Sequence, residues 1–146
     1  MVAWKGALKE YGLEAREEHC VEGNWSSASG IQAAEKLFEQ YPDMDSIFVA
    51  NDQMALGVLQ IACQRRIRIP EDLGIVGFDD IPESAFFCPP LTTVQQDQYA
   101  VGKVAVEETI KLIKSGWHGL EPIESKSIML APTLVVRKSS VRSIRN

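Results

Sequence analysis

The chain is poor in the residues that most catalytic and secreted proteins depend on. Only two histidines and three cysteines occur in 146 residues. Cys20, Cys63 and Cys88 are odd in number, far apart and outside any CxxC spacing. They indicate neither a disulfide framework nor a zinc site and read as reduced residues of a core or an interface. His19 falls in an expected strand and His118 in a loop beside Trp117, so no acid/base pair forms around either. No serine or cysteine has the surroundings of a nucleophile elbow. "GIVGFDD" lacks both the spacing and the following helix of a dinucleotide fingerprint. No apolar run approaches the roughly 18 residues that span a bilayer. "MVAWKGALKEYG" is amphipathic, without the unbroken apolar core of a secretory signal. These absences point to a cytoplasmic protein that is not an enzyme, with no metal, no cofactor and no membrane partner.

The formal net charge of −5 argues against a surface that binds nucleic acid over its whole extent. The basic cluster Arg65, Arg66 and Arg68 reads as a solvated helix end, where the helix dipole favours cations. At 45% hydrophobic and 24% charged, the composition is that of an ordinary globular domain with one sizeable core.

Periodicity supplies the organisation. Trp4, Ala7, Leu8 and Tyr11 recur at helical spacing before Gly12, and "EEHCVEGNW" predicts a short strand ending near Gly23 to Trp25. Ser26 or Ser27 can cap a helix whose apolar face is Ile31, Ala34, Leu37, Phe38 and Tyr41. Residues 46–50 predict a strand, 53–65 a helix with Leu56, Leu59 and Cys63 on one side, and 73–78 a further strand. Three prolines make the loop 80–90 irregular. "LTTV" is extended, 97–115 is a helix closed by Gly116, and "SIML" and "LVVR" are extended around Pro132. Alternating helices and strands imply an α/β fold, a parallel sheet flanked by helices.

Ligands of such sheets bind at the carboxyl edge of the strands. The residues that follow the three predicted strands are Trp25, Asn51 and Asp79. Neighbouring strands lie about 4.8 Å apart, so one small molecule can touch all three. An indole, a carboxamide and a carboxylate suit a sugar, whose hydroxyls pair with the polar groups while its C–H face lies on the ring. Purines and other small polar molecules fit the same set. Each residue also has a plainer reading: Asn51 can cap the next helix, Asp79 and Asp80 can hold a turn, and Trp25 can be packing. It is their common placement that favours a ligand.

The stretch "FVANDQMALGVLQIACQRRIRIPEDLGIVGFDDIPESAFFCPPLTTVQQD" closely resembles the inducer-binding domain of the LacI/GalR (lactose-repressor) family of bacterial transcription regulators. It carries, in order and at the family's spacing, ND before an ALG-like helix, a P-x-D turn, V-G-[FY]-D-D, and P-x-LTT-V. The likeness runs from about Trp4 to Arg137. It implies a lobe of a periplasmic-binding-protein-like (type I) sensor, incomplete here, with effector held between two lobes and DNA bound by a separate helix-turn-helix head absent from this chain.

Under that resemblance Asn51 and Asp79 are polar effector contacts, Trp25 stacks on the effector, and Gln96 lines the cleft near the hinge. Ser26, Ile31, Leu56, Leu59, Gln60, Phe86, Phe87 and Cys88 form a homodimer interface. Residues 1–93 are the second lobe and 94–119 the hinge crossing with a helix belonging to the first lobe. Residues 120–138 are the returning strand segment and 139–146 a tail. The implied function is effector (sugar) sensing and dimerisation in a LacI-type regulator. An exported sugar-binding protein of an uptake system is the alternative.

Overall fold

A computed structural model describes residues 2–114 and 127–142. Helix α1 spans Val2–Glu10, α2 Ser27–Gln40, α3 Asp52–Gln64 and α4 Gln98–Lys114. Strands β1 (Ser46–Phe48), β2 (Gly74–Asp79), β3 (Thr92–Gln95) and β4 (Thr133–Val135) form one sheet in the order β1-β2-β3-β4. The first three are parallel and β4 runs antiparallel to β3.

The parallel pairing follows from the crossover. Strand β1 enters α3, whose Met54, Ala55, Val58, Leu59, Ile61 and Ala62 are buried, and α3 returns the chain to β2 beside β1. A right-handed helical return of this kind makes neighbouring strands parallel. Ile75 of β2 is wholly buried, and with Leu73, Leu91, Val49 and the α3 residues it forms the core. Helix α2 packs along α3. Their approach depends on Gly57, where a Cβ would collide with the Ser27 carbonyl oxygen.

Three expectations change. The segment through Cys20–Asn24 is not a strand of the sheet: Glu17–His19 forms a 3-10 turn, and no regular structure follows it before α2. A strand exists only with a neighbour to receive its hydrogen bonds, and this segment has none beside it. His19 therefore lies in the turn, its ring edge-on to Tyr41 at 4.9 Å. Second, Leu56, Leu59 and Cys63 do not share one environment, because Leu59 is buried in the core while Leu56 and Cys63 are exposed. Third, residues 139–142 are no free tail. Ser139 is fully buried, its hydroxyl donates to the Ile75 carbonyl at 2.6 Å and accepts from the Thr92 amide at 2.8 Å, and the Arg142 Nε donates to the Pro70 carbonyl at 3.2 Å. These bonds stitch the end of the described chain across β2 and β3. The expected helix end at Gly116 and the loop with His118 lie outside the described residues.

Helix α4 buries none of its side chains, and Val101, Val106, Ile110 and Ile113 are exposed. No helix of the described residues is long and apolar enough to cross a membrane.

Candidate functional site

The carboxyl ends of β1, β2 and β3 lie side by side, and the residues that follow them are bound together. Asn51 is the N-cap of α3: its backbone is extended and its Oδ1 accepts from the Met54 amide at 2.9 Å, satisfying one of the helix's orphan donors. The other end of the carboxamide donates to the Trp25 carbonyl at 3.0 Å. One side chain thus serves both as a cap and as a tether for the loop that carries the indole.

That loop is held by its own polar groups. The Asn24 Oδ1 accepts from the Ser26 hydroxyl at 2.6 Å and from the Ser26 amide at 3.3 Å, while the Ser26 Oγ caps α2 at the Ser29 amide. Between them Trp25 has φ +70°, and its side chain stands 67% exposed. An indole so exposed contributes little to the core and is open to a ligand.

Strand β2 ends in two consecutive residues with left-handed backbone, Asp79 at φ +112° and Asp80 at φ +55°. Such conformations cost on the order of 1–3 kcal/mol each and persist only where surrounding contacts hold them. Here the holders are visible. The Ile81 amide donates to Asp52 Oδ2 at 3.0 Å, and Asp80 Oδ1 accepts from Arg137 Nη2 at 2.7 Å and from the Ser84 hydroxyl at 3.2 Å. The Gln95 amide group donates to Asp80 Oδ2 at 2.9 Å. With the Asp80 carboxylate occupied in this way, the Asp79 carboxylate accepts one bond among the described residues, from the Gln96 Nε2 at 3.3 Å.

Asp52 ties the pieces together. It is fully buried, its Oδ1 accepts from the Thr93 hydroxyl at 2.6 Å, and Gly77 leaves room for the carboxylate, since a Cβ there would strike it. Burial pushes the Asp52 carboxyl above the ordinary carboxylate range, against the lowering effect of the Thr93 and Ile81 hydrogen bonds. Asp79 and Asp80 add to the upward shift.

Of the four residues expected to hold a ligand, the structure bonds Trp25 to Asn51 and Asp79 to Gln96. Asp52, adjacent to Asn51 and bonded to Ile81, bridges the two pairs. A small polar pocket of about 470 Å³, lined by Gln95, Gln96, Asp97, Gln98, Ala131 and Thr133, opens beside the Asp79–Gln96 pair. A cavity of about 1490 Å³ touches Trp25 but none of the other three. Among the described residues no cluster of His, Cys, Asp and Glu could hold a metal ion. Sequence reasoning missed Asp52, Asp80 and Arg137 as the frame of this rim. The paired polar residues in "ND" and "GFDD" were the available signal: the second residue of each pair, Asp52 and Asp80, is the one tied by several hydrogen bonds to neighbouring segments.

The expected dimer residues divide. Leu59 is 4% exposed and belongs to the chain's own core, and Ile31 and Phe87 pack against that core in part. Leu56, Gln60, Phe86 and Cys88 are exposed, and the exposed Ser26 is engaged in capping α2.

A family model described as "Periplasmic binding protein-like domain" matches residues 1–140. Catabolite control protein A of Priestia megaterium is 38% identical over 137 residues, which cover 94% of this chain and 40% of that protein. The solved structure of the transcriptional regulator CelR–cellobiose complex superposes with a TM-score of 0.85 at 29% identity, over 94% of this chain and 40% of the other. That of the lac repressor dimer bound to operator and the anti-inducer ONPF gives 0.80 at 28% identity, over 97% and 46%. The chain thus spans about two fifths of the length of the curated relative it matches.

Proposed function

Because the chain belongs to the family of periplasmic-binding-protein-like domains, in the form found in LacI-type transcriptional regulators, we propose that it is the effector-sensing and dimerisation lobe of such a regulator, with a sugar as the effector. The observation that carries this reading is the convergence at one sheet rim of an exposed indole on a self-bonded loop, the amide that tethers the loop, and an acid whose neighbours leave it a single internal bond. Asp79 accepts hydrogen bonds from sugar hydroxyls, Trp25 covers the ring's C–H face, and Gln96 closes the hinge side. Asn51 contributes the amide hydrogen and lone pair left over from its two internal bonds.

In the intact regulator a first lobe covers the apolar side of α4, effector bridges the two lobes, and the closed state alters the geometry of a DNA-binding head. Leu56, Gln60, Phe86 and Cys88 contribute to the homodimer surface. The regulators among the relatives support this assignment over an exported sugar-binding protein.

The test uses a Trp4→Phe, Trp117→Phe background in which Trp25 is the sole tryptophan and is excited selectively over the tyrosines. Cellobiose, maltose and ribose are titrated against it and against the same protein carrying Asp79→Ala. At least one sugar is expected to alter the emission in the parent, with affinity in the millimolar range for one lobe, about −4 kcal/mol. The Asp79→Ala protein is expected to lose the response. An identical response in both proteins removes Asp79 from the site.

A further inference from the structure

In chain order α4 hangs between β3 and β4: the chain leaves the sheet at Gln95 and re-enters it at Thr133. Those two residues are register partners, and Gln95 is also the partner of Asp79, so Asp79, Gln95 and Thr133 form one row where the sheet ends. Helix α4 buries no side chain, and no other helix or strand of the described residues packs along it. Its direction is therefore set where it starts. The Gln98 amide donates to the Gln96 carbonyl at 2.9 Å, the Ala100 amide to Asp97 Oδ1 at 2.8 Å and the Val101 amide to the Asp97 carbonyl at 3.0 Å. These bonds tie the helix to the turn that opens it. The turn, in turn, is gripped from β2. Gln95 Nε2 donates to Asp80 Oδ2 at 2.9 Å, and Gln96 Nε2 donates to Asp79 Oδ1 at 3.3 Å. The other oxygen of Asp80 accepts from Nη2 of Arg137, two residues past β4, at 2.7 Å. One carboxylate thus holds both the strand on which the chain departs and the segment on which it has returned.

We infer that Asp80 is a positioning residue: by bridging Gln95 and Arg137 it fixes the direction in which α4 leaves the sheet, and so keeps Gln96 against Asp79. Two features single out Asp80 rather than its neighbour. Its side chain is 9% exposed and that of Arg137 20%, so its bonds are charge-assisted and only partly screened by solvent. The Asp79–Gln96 bond is exposed and, at 3.3 Å, beyond the usual N–H···O range, so water or a ligand hydroxyl can replace it. The firm grip therefore lies on Gln95, and Gln96 follows from it as the next residue of the chain. The value of this role to ligand binding rests on the effector reading of the rim; the hold on α4 does not.

The experiment measures residual dipolar couplings of the backbone amides in the weakly aligned 146-residue chain. It asks whether α4 shares one alignment frame with α2 and α3. In the parent a single frame is expected to fit all three helices. Gln95→Leu leaves the bonds of Asp80 to Arg137 and Ser84 in place. In that variant the α4 couplings are expected to leave the common frame and shrink, and the Gln96 side-chain amide to take the shift of a solvated one. Asp80→Gly keeps the left-handed backbone without strain and is expected to act the same way. Gly57→Ala is the control, a destabilising change at the α2–α3 contact that is expected to leave α4 in the common frame. An α4 that keeps the common frame in Gln95→Leu overturns the proposal, whatever Asp80→Gly does. A parent α4 already outside that frame overturns it too, as does equal loosening in Gly57→Ala, which would show ordinary destabilisation. No sugar is added, so failure here leaves the effector reading standing, and a rim that ignores sugar leaves this result standing.

Discussion

Arg137→Ala is the substitution that most directly probes how the rim is held. The guanidinium donates from Nη2 to Asp80 Oδ1 at 2.7 Å, and from Nη1 to the Leu91 carbonyl at 2.8 Å and the Ser84 hydroxyl at 3.2 Å. The two charged side chains are 20% and 9% exposed, so solvent screens the pair only in part. Truncating one partner of a buried ion pair costs about 3–5 kcal/mol, because the other charge stays behind. Asp80 keeps its bonds from Gln95 and Ser84, which lowers the expected loss to about 2–4 kcal/mol. For a chain of this length that corresponds to a fall in melting temperature of about 6–12 °C.

The assay is urea unfolding of four proteins: the parent, Arg137→Ala, Asp80→Asn and the double variant. A coupling energy of about 1–3 kcal/mol between the two sites is expected, since they touch. Losses that simply add, or an Arg137→Ala protein within about 0.5 kcal/mol of the parent, would refute the view that this pair holds the left-handed turn at Asp79 and Asp80.

Three further outcomes follow from the same geometry. Burial raises the Asp52 carboxyl in the folded state, so its contribution to stability is fullest below the ordinary value of about 3.9 and is lost as pH rises through the raised one. The stability difference between the parent and Asp52→Asn, measured by urea unfolding from pH 4 to 7 (about the range where carboxylates titrate), is expected to move against the parent as pH rises; the opposite slope contradicts the burial argument. Asp72 behaves the other way, because the Arg68 guanidinium and amide hold its carboxyl down at about 2. Its contribution is present above the ordinary value and lost as pH falls toward about 2, so acid unfolding of Asp72→Asn should lack that component. Gly57→Ala should lower the melting temperature, since the collision with the Ser27 carbonyl costs about 1–3 kcal/mol and outweighs a helix preference of about 1 kcal/mol; a rise in melting temperature would show that α2 and α3 can separate freely.

The sequence revealed most where one local signal had no competitor. The apolar runs at 46–50 and 73–78 became β1 and β2, and the two carboxyl ends came together because a helical return forces parallel pairing. The Cys20–Asn24 segment misled because strand propensity is realised only against a neighbouring backbone, and the residues themselves say nothing about whether one is there. Asn51 illustrates a different limit. Capping and ligand binding were weighed as alternatives, yet the side chain caps α3 through its oxygen and tethers the Trp25 loop through its nitrogen. Arg137 and Ser139 were invisible as framework residues for another reason. Their partners, Asp80 and Ile75, lie dozens of residues away, and only the folded chain brings them into reach.

The most direct test of a shared sugar rim is a two-dimensional nitrogen–proton NMR titration of the 146-residue chain with cellobiose and maltose. The account predicts that a binding sugar shifts the Trp25 indole resonance together with the backbone amides of Asn51 and Asp79, all on a single isotherm. A sugar that binds while those three resonances stay still, or shifts them with unrelated affinities, would contradict it.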